Sequence, residues 1–121
     1  MTDAMTGAEL KVQLTGLGLT PGWLADQLSI TPRTVLRWLD QDAIPTKAVA
    51  VIETVTEFTD REIEKITQTA RITGAVYTRR TDEGVAERNT LSATWHRHAA
   101  FRALNNLRAS GTHVTVEYAS A

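Results

Sequence analysis

Apolar residues recur along the first half of the chain at the three- and four-residue spacing of amphipathic helices. Leu10, Leu14 and Leu17 mark a first helix. Thr6 and Glu9 stand before it in the Thr-x-x-Glu order of a capping box, in which a hydroxyl accepts a hydrogen bond from a free N–H of the first turn. The sequence therefore predicts a helix from about Thr6 to Leu17.

A second helical stripe follows Thr46, which can cap a further helix. Its apolar positions are Val49, Ile52, Val55 and Phe58. Thr59 and Glu62 then offer another capping box, and Ile63 and Ile66 continue one apolar face to about residue 71. The pattern fits two descriptions, a separate fifth helix or an extension of the fourth, and in both the helical region ends near residue 71.

Between these helices lie two short helical patterns, each introduced by the dipeptide Thr-Pro. Thr20-Pro21 and Thr31-Pro32 begin eleven residues apart. Threonine is a favoured N-cap, and proline suits the first helical position because its missing N–H would be unpaired there anyway. The spacing leaves about two turns for each helix and a tight turn between them. This is typical of a helix-turn-helix, whose second helix is presented to the DNA major groove.

The segment LTPGWLADQLSITPRTVLRWLDQDAIP, from residue 19 to residue 45, resembles the helix-turn-helix of phage-repressor regulators of the Cro/C1 or XRE type. The matching positions are Thr20, Leu24, Ala25, Ile30, Thr31, Val35, Arg37, Trp38 and Pro45. The resemblance implies a five-helix repressor-like domain over residues 5–71 that binds double-stranded DNA. Alignment with that motif also places Pro32, Arg33, Thr34 and Arg37 at base edges. The hydroxyls of Thr20 and Thr31 are candidate phosphate contacts, and so is Lys47, which lies near a helix start; for Lys47 the alternative is plain surface.

Arg33 and Arg37 are four residues apart and therefore share one face of the second helix. Each guanidinium can donate two parallel hydrogen bonds to O6 and N7 of guanine, an interaction worth about 1–3 kcal/mol of base discrimination. Pro32 and Thr34 can meet a thymine methyl group, and Leu36 is a further candidate for such a contact. The alternative is that both arginines are solvated charges on an amphipathic helix. Within a complete helix-turn-helix pattern we favour groove contact.

From residue 73 the pattern changes from helical to β-prone. Residues 74–80 predict a strand, 81–90 a turn and polar loop, and 91–108 a long helix that Ser110-Gly111 ends. Residues 113–118 alternate strictly, which predicts a half-buried strand with Val114, Val116 and Tyr118 on one face. A strand-helix-strand crossover favours parallel strands. The fold expected is mainly α, with a repressor-like helical bundle and a small β-α-β tail over residues 73–119, α+β overall.

Two strands form a sheet too narrow to be stable alone. The tail therefore either docks on the N-terminal domain or pairs with a second copy, and we favour a homodimer. The residues expected at that contact are Val76, Tyr77, Trp95, Val114, Val116 and Tyr118. Helices followed by a small α/β tail also resemble the layout of phage and anti-CRISPR-associated autorepressors.

Composition restricts the class of protein further. The 121 residues suit one domain or two small ones, and the absence of cysteine excludes disulfides and thiolate metal sites. No apolar run approaches the roughly 20 residues of a membrane span, and the first residues lack signal-peptide features, so we expect a cytoplasmic protein. The net charge of −1 divides unequally, with −4 in residues 1–60 and +3 in residues 61–121. An acidic N-terminal half predicts weak DNA binding by a single copy.

Nothing in the sequence predicts catalysis. His96 and His98 are two residues apart and would point about 200° apart on a helix, and His113 is distant, so we expect no metal site. Phosphate-binding glycine loops, nucleophile elbows and paired carboxylates are absent from the sequence, so we expect no catalytic residue, no cofactor and no enzyme activity.

These patterns predict a sequence-specific, dimeric transcriptional repressor of phage or bacterial origin that binds a palindromic operator. The first alternative is an antitoxin-like interaction module, in which the tail binds a partner protein and DNA binding is secondary. A repressor-like fold without a DNA function is the second alternative, and the acidic first half favours it.

Overall fold

The computed structural model describes residues 5–80 and 91–119. It is mainly helical with one small two-stranded sheet, which confirms the expected fold class. The elements are α1 (Gly7–Leu17), α2 (Pro21–Leu28), α3 (Pro32–Trp38), α4 (Thr46–Thr73), β1 (Ala75–Thr78), α5 (Ala93–Ala109) and β2 (Thr115–Tyr118). The turn and loop predicted over residues 81–90 lie outside the described residues.

The chain forms two compact units, Met1–Thr56 and Glu57–Ala121. The division falls inside α4; the domain boundary expected from the sequence lay at residues 71–73, at the end of the same helix. Ile63, Ile66 and Ala70 of α4 belong to the hydrophobic core of the second unit, together with residues of β1 and α5. The first unit thus holds the two Thr-Pro helices, and the second holds the sheet.

Helix α1 begins and ends at the residues that its sequence indicated. The Thr6 hydroxyl accepts a hydrogen bond from the Glu9 N–H at 3.0 Å, which satisfies one of the free donors of the first turn. Gly18 ends the helix in the left-handed conformation, with φ of 71°. Leu10, Leu14 and Leu17 are all buried, as the spacing predicted.

Helix α4 is a single helix, so the alternative of a separate fifth helix after Thr59 is wrong. The Thr59 side chain is 2% exposed, and its hydroxyl accepts a hydrogen bond from Trp95 Nε1 at 2.9 Å. A residue with the sequence signature of a cap therefore serves as the buried partner of an indole within the second unit. The local sequence indicated a helix start at Thr59, but the helix continues through it and the hydroxyl makes a tertiary contact instead.

The second unit is a β-α-β crossover with parallel strands, as predicted. In its register Val76 lies beside Val116 and Thr78 beside Tyr118. Helix α5 packs on β1, and its N-cap Ser92 accepts a hydrogen bond from the Trp95 N–H at 3.1 Å. Its inward face carries small residues, Ala99, Ala100 and Ala103, all 5% exposed or less. Small side chains let a helix approach a sheet closely.

The prediction that β2 buries the face carrying Val114, Val116 and Tyr118 is wrong in part. Val114 is buried, but Val116 and Tyr118 are 48% and 53% exposed. Neighbouring residues in a parallel register share a face, so these two lie on the same side of the sheet as Val76 and Thr78, which are both buried. The helix covers the β1 side of this face and leaves the β2 side open to solvent.

Candidate nucleic-acid interface

Helices α2 and α3 pack against each other across a short turn, as a helix-turn-helix does. Helix α2 starts at its predicted cap, where the Thr20 hydroxyl accepts a hydrogen bond from the Trp23 N–H at 3.0 Å. It ends at Ser29, whose φ of 56° reverses the chain, and the Ile30 N–H then bonds to the Ala25 carbonyl at 3.0 Å. The turn is therefore fixed by backbone bonds on both sides of Ser29.

Helix α3 has one buried face and one exposed face. Val35 and Trp38 are 0% and 7% exposed and belong to the core. Thr31 caps the helix, since its hydroxyl lies 3.4 Å from the Thr34 N–H and 3.1 Å from the Thr34 hydroxyl. Pro32 occupies the first helical position. The buried side anchors the helix and leaves its opposite side to solvent.

Three of the four residues expected at base edges are exposed. Pro32, Arg33 and Arg37 are open to solvent, and Thr34 is half-buried beside its cap. Among the described residues, neither guanidinium takes part in an ion pair. Leu36, also on this helix, is 53% exposed. The outer surface of α3 thus presents two cationic groups one turn apart, with an apolar side chain beside them.

The residues expected at phosphates are also exposed. Thr20 uses its hydroxyl oxygen as an N-cap acceptor, which leaves a hydroxyl hydrogen that can be donated elsewhere. The Thr31 hydroxyl is an N-cap acceptor too and also hydrogen-bonds the Thr34 hydroxyl, in a pair in which either oxygen can be the donor. Lys47 is exposed in the first turn of α4. Asp40 and Asp42 are exposed between α3 and α4. Negative charge next to the C-terminal end of α3 opposes close approach of a phosphate backbone there.

Gly7 is a structural residue that sequence reasoning missed. Its N–H donates a 2.8 Å hydrogen bond to the carbonyl of Gln41, just beyond the end of α3. A Cβ added at this position would overlap the carbonyl oxygens of Trp38 and Leu39. The N-terminus of α1 is therefore packed directly against the C-terminal end of α3. A glycine after a threonine cap gives no sequence signal for this contact, because any residue suits that position locally.

The residues expected to form a dimer contact fall into two groups. Val76, Trp95 and Val114 are 1–3% exposed and form part of the core of their own unit. Because they are buried, they are unavailable to a second copy. Tyr77, Val116 and Tyr118 are exposed. All six residues were predicted from the apolar periodicity. That periodicity does not distinguish residues of the internal core from apolar residues on the surface.

Three arginines of the second unit make contacts within that unit. Arg97 donates to the carbonyl of Arg79 at 2.9 Å, and the Arg80 guanidinium lies 4.0 Å from the centroid of the Tyr118 ring. Arg102 lies 3.7 Å from the Asp60 carboxylate. Such contacts limit their availability for DNA phosphates.

His96 is buried and bonded on both ring nitrogens. Its Nε2 lies 3.3 Å from Glu62 Oε2, and its Nδ1 lies 3.3 Å from the Thr78 hydroxyl. The hydrogen bond from His96 is the main cause that lowers the pKa of Glu62 below its ordinary value of 4.5, with Lys65 and Arg79 adding to it and partial burial opposing it. These contacts join α4, β1 and α5. Within the described ranges, no cluster of three or more metal-ligating side chains occurs.

Comparison with models of known protein families gives no match, and comparison with curated protein sequences gives none either. In residues 5–80 and 91–119, no helix has both the length and the apolar character needed to cross a membrane.

Proposed function

We propose that the protein binds double-stranded DNA in a sequence-specific manner and represses transcription by occupying an operator. The observation that carries the proposal is the outer face of α3. Arg33 and Arg37 are exposed there, one turn apart and without an ion pair among the described residues, while Val35 and Trp38 hold the opposite face in the core. A helix so anchored presents its side chains in fixed positions.

In this proposal α3 enters the major groove, and each of the two guanidinium groups donates a pair of hydrogen bonds to a guanine. The Thr20 and Thr31 hydroxyls and Lys47 contact the phosphates on either side of the groove. Repression follows because the bound protein excludes the transcription machinery from the same DNA.

The net negative charge of residues 1–60 limits the affinity of a single copy for DNA. Phosphate contacts supply most of the nonspecific affinity for DNA, and a net charge of −4 in this half keeps that part weak. Tight binding then depends on two copies on a palindromic operator, with half-sites about one helical turn apart. The cytoplasm is the compartment in which such a regulator acts.

Selection from a pool of randomised duplexes, followed by footprinting on the enriched sequence, tests the proposal. Enrichment of a palindrome with guanines in each half-site is expected. Arg33→Ala and Arg37→Ala should each weaken binding to that sequence by about 5- to 150-fold per half-site, which is the discrimination of about 1–3 kcal/mol assigned to one arginine–guanine pair.

Lys11→Ala is the matched control, because Lys11 is an exposed cation on α1, outside the proposed groove contact. It should leave the preferred sequence unchanged. If no sequence is enriched, or if the two arginine variants bind the selected duplex as tightly as the parent protein, the proposal is wrong.

A further inference from the structure

The second unit carries an open apolar groove on the side of β2. The groove has a volume of about 410 Å³ and runs between α5 and β2. Phe101, Val116 and Tyr118 line it and are 60%, 48% and 53% exposed, and Leu104 lies beside them. Scattered exposed apolar residues are normal, but a contiguous set around one groove is typical of an interaction surface.

The groove is bordered by an unpaired strand edge. The Thr115 and Ala119 N–H groups donate to the carbonyls of Gly74 and Thr78, so odd-numbered residues of β2 face β1. Because strand hydrogen bonding alternates, the N–H and C=O groups of Val116 and Tyr118 point away from β1. No third strand pairs with β2 in the described part of the chain. Of the features that protect natural edges, Thr115–Tyr118 has a short length and the charge of Glu117, but it has no proline, lysine or bulge.

We propose that a second copy of this chain occupies the groove and the edge, with the two β2 strands paired antiparallel about a two-fold axis at Val116. A two-fold contact requires one patch that complements itself. This patch meets the requirement, since the same few residues offer both the free main-chain groups and the apolar side chains. The resulting sheet would have four strands, in the order β1-β2-β2-β1, which removes the weakness of a two-stranded sheet.

Charge selects the register. Centring the pair on Val116 places the two half-exposed Val116 side chains opposite each other, and β-branched side chains pack well against cross-strand neighbours. On the other face it places Thr115 opposite Glu117, which brings together a hydroxyl and a carboxylate. The neighbouring register, centred on Glu117, would place two carboxylates directly opposite each other and is destabilised by their repulsion.

The same arrangement explains the exposed face of α5. An axis perpendicular to the sheet leaves both α5 helices on one face, two to three strand spacings apart, or about 10–14 Å. Packed helices have their axes about 8–10 Å apart, depending on the side chains at the contact, so a separation at or above that range requires large side chains. Phe101 and Leu104 lie on the groove side of α5 and supply them from each copy. The contact rests on the second unit alone and not on DNA binding; if the proposed function holds, it also provides the two copies that a palindrome requires.

Disulfide cross-linking tests the register, since the chain contains no cysteine that would interfere. Residues opposite each other in a hydrogen-bonded antiparallel pair have Cα atoms about 5.5 Å apart, which a disulfide can span. Under mild oxidation V116C should therefore form a covalent dimer. The matched variant T115C keeps the Glu117 carboxylate and should form much less, because in this register residue 115 lies opposite residue 117 and not opposite its own copy. A V116C variant that cross-links no better than T115C would overturn this register.

Sedimentation tests the contact itself. At tens of micromolar the parent protein should have twice the 13.3 kDa mass of the chain, and V116D should have the monomer mass. Ile72, 86% exposed on α4 in the same unit, provides the control, and I72D should remain a dimer. A monomeric parent protein, or a V116D variant that stays dimeric, contradicts the proposal. Arg33→Ala should stay dimeric while it binds the selected duplex more weakly, so failure of the DNA proposal and failure of the dimer are distinguishable.

Discussion

Replacing Gly7 with alanine should destabilise the first unit, although alanine is normally the better helix residue. The added methyl group would overlap the carbonyl oxygens of Trp38 and Leu39. Both atoms belong to backbone rather than to a flexible side chain, so α1 or the end of α3 must move. Such a shift also strains the 2.8 Å hydrogen bond from the Gly7 N–H to Gln41.

Overpacking of this kind typically costs about 1–3 kcal/mol. Because the overlapped atoms are backbone, we expect the upper part of this range, about 2–3 kcal/mol. The preference of alanine for a helix offsets about 0.5–1 kcal/mol of it, so we expect a net loss of about 1–2.5 kcal/mol. For a unit of this size, each kcal/mol lowers the melting temperature by about 4–8 °C. The melting temperature of Gly7→Ala, followed by circular dichroism, should therefore fall by about 4–20 °C.

Gly16 provides the matched control on the same helix. A Cβ added there would meet no atom within 4 Å, so the helix preference acts alone and Gly16→Ala should raise stability by about 0.5–1 kcal/mol. The two glycine-to-alanine changes should thus have opposite signs. Equal melting temperatures for Gly7→Ala and the parent protein would refute the packing argument.

Two further predictions concern the buried contacts of the second unit. Thr59→Val should lower the free energy of unfolding, measured in urea, by about 1–3 kcal/mol, because the buried Trp95 indole N–H loses its acceptor at 2.9 Å. The control Thr59→Ser keeps the hydroxyl and should cost less. Since the folded state holds the Glu62 pKa below 4.5, the stabilisation from its ionised form is complete above that value and is lost as the pH falls through the lowered pKa. Glu62→Gln should therefore be less stable than the parent at pH 6, and its stability should fall less between pH 6 and pH 3; identical pH profiles would contradict this.

Features with a local cause could be predicted from the sequence. The caps at Thr6, Thr20 and Thr31 depend on a hydroxyl and the next three residues, and each helix begins where its cap indicated. The parallel strands followed from the handedness and length of a crossover. The exposure of Arg33 and Arg37 followed from the helical period, because Val35 and Trp38 occupy the opposite face.

Features that depend on distant parts of the chain could not be predicted in this way. Thr59 has the local signature of a cap, yet its hydroxyl is taken by an indole 36 residues away. Alternation in β2 correctly grouped Val116 with Tyr118, but it carries no information on whether a helix covers that group. The close approach at Gly7 likewise involves residues more than 30 positions apart, and nothing next to the glycine indicates it.

Ser29 has a consequence for how firmly the turn between α2 and α3 is defined. It is the one non-glycine residue with positive φ in residues 5–80 and 91–119. A left-handed serine costs about 1–2 kcal/mol in the folded chain, a strain that glycine avoids. Glycine, however, would enlarge the set of conformations open to the unfolded chain and so make ordering the turn entropically more expensive. Serine at this position thus strains the folded chain slightly, but it leaves the unfolded turn fewer alternative conformations than glycine would.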